Sequence, residues 1–315
     1  MLQFLIRRIL LLVVTMLITS VIIFALTQLL PGDVARLILG RDASETALNA
    51  LREEFGLDEP VPVQYVNWLG GFITGDWGRS YSSGNPPVRP LILDRLSNSL
   101  RLMLMTLIIS IPLSILLGVI AALRENTWID NTISLVSLSV VGLPEFVTGL
   151  VLVNVFALGL GWFPATSLVS SNHQLGDWLR ILFLPAITAT FVLLGYVSRM
   201  TRAGVLEEIR KPYVRTARLK GLPQWKIIVK HVLRNGLLPT ITVIAISIGW
   251  LIGGVVVIES VFNFPGLGAL LVEAVKQKNL PLLQACVMVV IFFFAIANLV
   301  ADLLYAVLNP RIRLQ

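Results

Sequence analysis

Between Arg8 and Asp33 the chain carries no charge: ILLLVVTMLITSVIIFALTQLL is broken only by Thr, Ser and Gln before Pro31 and Gly32. A helix of about 20 predominantly apolar residues is long enough to cross a bilayer. Inside hydrocarbon the backbone must satisfy its own hydrogen bonds, so a chain built of such runs is confined to helices. Six segments reach that length, approximately Ile9–Leu30, Leu100–Leu123, Ile133–Leu160, Leu179–Val197, Leu237–Ile258 and Leu282–Leu308. The first follows Arg7 and Arg8, yet it is longer than the roughly 7–15 apolar residues of a signal peptide and no small-residue cleavage site follows it. It reads as a retained span. The expected class is an all-α polytopic membrane protein. Composition agrees: 56% of residues are hydrophobic and 14% charged, against about 25% charged in an average soluble domain.

The net charge is +7, and its placement matters more than its size. With the N-terminus in the cytoplasm, the inside carries Arg7, Arg8, Arg124, the Arg199–Arg234 cluster, Arg311 and Arg313, while the short outer loops carry Arg180, Lys276 and Lys278. Basic residues mark cytoplasmic loops, so both termini are expected inside, and the charge calls for no nucleic acid. The lone cysteine, Cys286, sits in an apolar run and reads as a packing residue. His173 and His231 lack metal-ligand spacing, so no metal site is expected.

The polar region 31–98 is too long for a simple connection and reads as a small external subdomain. Asp42-Ala-Ser-Glu45 resembles a helix start, with Leu48, Leu51 and Phe55 at helical spacing and Gly56 as the stop. Tyr65, Trp68, Leu69 and Phe72 form a second amphipathic piece suited to the outer membrane–water interface.

The inner loop between the fourth and fifth spans, 199–236, is the most patterned part of the chain. Pro212 stands where a helix begins and Gly221 where it ends; Pro223 can begin another. Trp225, Ile228, Val229, Val232 and Leu233 then fall on one apolar stripe, with Lys226, Lys230 and Arg234 on another face. Two short helices at a glycine turn form an elbow, one face for the transmembrane bundle and one for water or a partner. Attraction to anionic lipid, about 1 kcal/mol per cation near the surface, also accounts for the charge, but it does not require the helix–glycine–helix pattern.

Ala217-x-x-x-Gly221 followed by an amphipathic helix resembles the EAA loop of ABC-transporter permeases. The general pattern opens Glu-Ala-Ala. Here those positions are Arg215-Thr216-Ala217, and Leu233-Arg234 stands where Leu-Pro is usual. Both departures are similar to the peptide and nickel branch, with its Arg-Thr-Ala-Arg-x-Lys-Gly and later His-x-Leu-Arg-Asn; Arg215–Gly221 and His231–Asn235 reproduce them. Leu30-Pro-Gly-Asp33, Phe55–Tyr65, Gly75-Asp-Trp-Gly-Arg-Ser80 and Glu259–Gly268 resemble further motifs of that family's B-type subunits, whereas Lys278-Asn279-Leu280-Pro281 replaces its common Arg-Asp-x-Pro.

The resemblance implies a type I ABC importer permease fold in the bacterial or archaeal cytoplasmic membrane. Residues 1–30 would be an N-terminal transmembrane helix, 31–98 the external subdomain, 99–309 a five-helix permease core, and 310–315 a cytoplasmic tail. It implies a second, homologous permease subunit, two cytoplasmic ATPase subunits and an extracytoplasmic binding protein that delivers peptides or related small solutes. Tyr213, Val214, Ala217 and Gly221 would supply contact and turn against the ATPase, with Thr216 among them, and Arg215, Arg218 and Lys220 would orient it. No Gly-x-x-x-x-Gly-Lys-Ser/Thr loop is present, so ATP and Mg are expected on the partner subunits and no cofactor on this chain.

Polar groups at membrane depth are candidates for the path. Pro144, Glu145 and Phe146 interrupt the third segment, where proline exposes carbonyls. Glu145 either meets a solute's positive amine or sits in a headgroup or interhelical hydrogen bond. Glu259 closes the fifth span before Phe262-Asn-Phe-Pro-Gly266, either as part of an external gate or in a plain interfacial loop. A secondary transporter or channel is the alternative reading; it would call for inverted repeats and midplane ion ligands, which the sequence does not display. A membrane enzyme would need paired aspartates, a Ser–His couple or His-Glu-x-x-His, and none occurs in the spans.

Overall fold

The structure, a computed structural model, describes residues 2–29, 36, 44–54, 58–82, 84–169 and 174–308. Leu30-Pro-Gly-Asp33, Asp42, Phe55 and Gly56, His173, Arg311 and Arg313 lie outside these residues. In chain order the helices are α1 (Leu2–Gln28), α2 (Glu45–Glu54), α3 (Val61–Thr74), α4 (Val88–Leu123), α5 (Trp128–Gly142), α6 (Glu145–Leu152), α7 (Leu175–Ile209), α8 (Pro212–Leu219), α9 (Gln224–Ile227), α10 (Leu233–Gly236), α11 (Leu238–Gly254), α12 (Val256–Val261), α13 (Leu267–Lys276) and α14 (Leu280–Leu308). Among the described residues two π-helical stretches join this series: Val153–Gly159 extends α6, and Ile228–Val232 links α9 to α10.

Among the described residues four helices are long and apolar enough to cross a membrane, within α1, α4, α7 and α14; two bent pairs raise the number to as many as six. The third expected span, Ile133–Leu160, is not one rod. It splits into α5 and α6 with its π extension, bent by 106°. Leu143, preceding proline, is forced out of the helical region to φ −87, ψ 131, and Pro144 then opens α6. The fifth expected span, Leu237–Ile258, is α11 followed by α12, and it meets the α9–α10 segment at 54°. Helices also outrun the apolar runs that announced them. α4 begins at Val88 and covers 36 residues, about 54 Å at 1.5 Å per residue, because helical geometry continues after the side chains turn polar.

The chain divides into two units, one of Met1–Asn98 with Gly266–Phe293 and one of Ser99–Pro265 with Phe294–Gln315. In the first, α3 packs along α1. Phe24 lies 5.4 Å from the Tyr65 ring and 5.6 Å from Trp68, and the series continues through Phe72 to a stacked Trp77 at 5.2 Å. The Tyr65 hydroxyl also bonds Ser20 at 2.8 Å. The aromatic residues expected at the membrane interface therefore clasp the first span. At α2 the helix-starting group is Ser44, whose hydroxyl accepts the Ala47 N–H at 3.3 Å. The loop after α3 is tied to the α13–α14 junction: buried Asn279 donates to the Ser80 hydroxyl at 2.6 Å and accepts the Tyr81 N–H at 3.2 Å.

The second unit is organised around α7. Its core brings Leu102 of α4, Leu152 of α6, Leu182, Leu184 and Leu193 of α7, Leu251 of α11, Ile258 of α12 and Phe262 just after it together. Close approach depends on glycines. A Cβ at Gly195 would lie 2.0 Å from Val141 Cγ2, one at Gly204 would lie 2.2 Å from the Gly236 carbonyl oxygen, and one at Gly118 would lie 2.5 Å from that of Ser198. Small residues at such contacts let helix backbones meet where membrane association relies on packing.

Candidate functional site: an elbow at the end of α7

α7 ends at Ile209, and three residues later Pro212 opens α8, as its fixed φ and missing N–H allow. α8 stops in a left-handed turn: Gly221 has φ +74, its N–H reaches the Arg218 carbonyl at 3.0 Å, and Leu222 N–H reaches that of Ala217 at 3.3 Å. Both bonds satisfy carbonyls that the helix end leaves open. Pro223 then caps α9. The elbow read from the sequence is present, with its turn at Gly221.

Its inner face differs from the expected stripe. Ile227 and Val232 are buried, whereas Trp225 and Val229 are 67% and 59% exposed. The cause is the π-helical stretch Ile228–Val232. A π-turn bonds i to i+5 rather than i+4, which brings Ile227 and Val232 onto one side and rotates Trp225 and Val229 outward. Val214 and Ala217 of α8 join them in a cluster with Val205 and Ala122. Each fully buried aliphatic side chain contributes about 1.5–3 kcal/mol, so this face is fixed to the body of the chain. The opposite face exposes Arg215, Thr216, Arg218, Lys220, Gly221 and Lys226, along with Leu219 at 81% exposure.

A polar pin holds the root of the elbow. Buried Glu208 accepts hydrogen bonds from Lys211 Nζ and the Tyr213 hydroxyl, and that hydroxyl lies 3.3 Å from the His231 carbonyl oxygen. Burial, and then the Glu208 carboxylate, push the Tyr213 phenol upward from its ordinary range; the Glu208 hydrogen bond raises Lys211. Tyr213 is thus placed inside the elbow's own joint, and Val214 and Ala217 beneath it. The exposed members of the expected set are Arg215, Thr216, Arg218, Lys220 and Gly221. Composition offered one further signal: Leu219, Trp225 and Val229 are large apolar residues among cations, and the structure turns all three outward.

The residues expected at membrane depth divide. Pro144 and Glu145 stand at the break, with Phe146 49% exposed beside them. Glu145 is partly buried, and its Oε2 is shut from solvent without a hydrogen-bond partner. Glu259 is 1% exposed in α12 and accepts the Ser99 hydroxyl at 2.6 Å. The two acids sit on packed helices, since a Cβ at Gly149 of α6 would lie 3.1 Å from Val261. Among the described residues no three His, Cys, Asp or Glu side chains are grouped as a metal site would need.

Two family models cover the chain. The N-terminal component of binding-protein-dependent transport system membrane proteins matches residues 1–115, and the binding-protein-dependent transport system inner membrane component matches residues 114–314. A probable peptide ABC transporter permease protein of Sinorhizobium fredii is 36% identical over 310 residues, 98% of this chain and 99% of that protein. A glutathione transport system permease protein of Escherichia coli K12 is 36% identical over 313 residues, 99% of each chain. With its apolar helices and both family models spanning it, this chain belongs to the inner-membrane permease family of binding-protein-dependent ABC transport systems.

Proposed function

We propose that this chain is the permease subunit of an ATP-driven importer and that residues Arg215–Asn235 couple it to separate ATPase subunits. The observation that carries the reading is the two-faced elbow. One face is pinned by Glu208 and packed through Val214, Ala217, Ile227 and Val232, while the other presents cations around Leu219 and Trp225. A lever has this construction: rigid where it joins the body, open where a partner pushes. ATP and Mg remain on the partner subunits, and a second, homologous permease chain completes the path. An extracytoplasmic binding protein delivers the solute, a peptide or related small molecule, in keeping with the peptide and glutathione permeases among its relatives. Pro144, Glu145 and Phe146 line the path at the α5–α6 break, and Glu259 braces the neighbouring helix. The chain performs no covalent chemistry; it has two packings that its partners bias.

Gly221→Asp tests the coupling role. No atom lies within 4 Å of a Cβ there, so the substitution acts through the backbone, where a left-handed conformation costs an L residue about 1–2 kcal/mol, and through a negative charge on a cationic face. The expected result is wild-type abundance in the membrane, loss of uptake, and ATP hydrolysis that no longer follows solute. Normal uptake by this variant overturns the coupling role. Gradient-driven flux through the purified permease in liposomes lacking an ATPase overturns the ATP-driven reading and favours a secondary transporter or channel.

A further inference from the structure

α5 is fastened to α7 along its whole length, beginning at a charged contact near the elbow. Asp130, in the first turn of α5, has a side chain 2% exposed, and Arg202 of α7 holds both its oxygens, Nε to Oδ1 at 2.6 Å and Nη2 to Oδ2 at 2.7 Å. The Asn126 N–H at 3.0 Å and the Ser134 hydroxyl at 3.3 Å occupy the remaining acceptor positions. A bidentate guanidinium–carboxylate pair fixes orientation as well as separation. Two turns on, the Ser137 and Ser198 hydroxyls meet at 3.2 Å. One turn further, Val141 occupies the space that a Gly195 side chain would need. Immediately beyond, Leu143 and Pro144 end α5 and the chain turns by 106° into α6.

We propose that the Asp130–Arg202 pair makes α5 and α7 a single rigid lever, which carries displacement of the elbow to a hinge at Leu143-Pro144. The path is continuous on the structure: Tyr213 pins the elbow to Glu208, near the end of the helix that carries Arg202, and Arg202 grips the foot of the helix whose far end is the break. Asp130 and Arg202 are positioning residues; neither touches solute. The inference rests on the coupling reading above and adds the route by which a push on the elbow reaches Glu145. A contact that only stabilised the fold would need no hinge beyond it and would leave the stoichiometry of transport alone.

The test uses the full transporter in proteoliposomes, reading solute imported per ATP hydrolysed. Asp130→Asn is expected to assemble, to continue hydrolysing ATP, and to lose about tenfold in that ratio, within the span of ordinary coupling free energies. Asp130→Glu is expected to recover part of the loss. The second measurement is a disulfide between Ser137→Cys and Ser198→Cys, with buried Cys286 left in place. If α5 and α7 move as one body, oxidising that pair leaves wild-type uptake unchanged and restores the ratio in Asp130→Asn. An unchanged ratio in Asp130→Asn overturns the proposal. So does an oxidised disulfide that stops uptake until reductant is added, because α5 and α7 must then slide past one another. Should Asp130→Asn fail to assemble, the disulfide in the wild-type background still decides. Absence of ATP-dependent uptake by the wild-type complex would instead remove the functional reading on which the lever rests.

Discussion

Glu145 carries a carboxylate oxygen closed to solvent and without a hydrogen-bond partner. Leaving a charged group in that condition is costly, and a ligand cation or a proton relieves it. The prediction at this scale follows from the proposed path. Glu145→Gln should lower uptake of a peptide with a free amine or a lysine side chain by about tenfold or more, the value of one charge-assisted hydrogen bond. Uptake of an uncharged analogue should stay near wild type. Equal uptake of both solutes by the variant removes Glu145 from the route. The sequence marked Glu145 because charge is rare inside an apolar run. It marked Glu259 for the same reason, but the partner that holds it, Ser99, lies 160 positions away, and nothing local announces such a pairing. Val214 and Ala217 show the converse: their motif was readable, yet which side of α8 meets the protein was settled by packing against Val205 and Ala122.

At the scale of elements, punctuation proved easier to read than periodicity. Pro212, Gly221 and Pro223 delimit α8 and α9 because each acts on the backbone at its own position. The face of the following helix depends on how many residues make a turn, and the π-helical stretch changes that number where the pattern Trp225, Ile228, Val229 assumed a regular helix. Pro144 likewise announced an interruption, while the 106° angle also reflects where α6 finds its neighbour, against Val261 and Phe262 at Gly149. A pair of substitutions checks the register. Ile227→Ala removes a side chain 3% exposed and should destabilise the protein by about 2–5 kcal/mol, seen as a lower Tm in detergent. Trp225→Ala, at 67% exposure, should change stability by about 0.5 kcal/mol or less but weaken retention of the ATPase subunits on an affinity column. The opposite ranking of the two in Tm would restore the regular stripe.

For the whole molecule, charge distribution and hydrophobic exposure must describe the same membrane. α1 leaves Ile6, Leu10, Ile18, Val21 and Leu26 more than half exposed, a surface that only lipid or another apolar helix can cover, since spans of this length traverse hydrocarbon. The positive-inside rule predicts the elbow, with its cations, on the cytoplasmic side, and the expectation for region 31–98 is the outer side. This orientation has a direct test, because the native Cys286 is fully buried and gives little background to a water-soluble maleimide. Leu219→Cys, at a position 81% exposed on the elbow, should label only after cells are opened. Asp58→Cys, at an exposed position before α3, should label on intact cells once any outer barrier is permeabilised. Labelling of Leu219→Cys from outside would place the elbow beyond reach of any cytoplasmic ATPase, and the coupling reading would fall with the orientation. Labelling of both positions from one side would instead mean an even number of crossings between them, so that the bent pair lying between them, α5–α6, enters and leaves by the same face. The α5–α6 pair is the one to probe for that outcome, since its 106° turn is nearly twice the 54° at α10–α11.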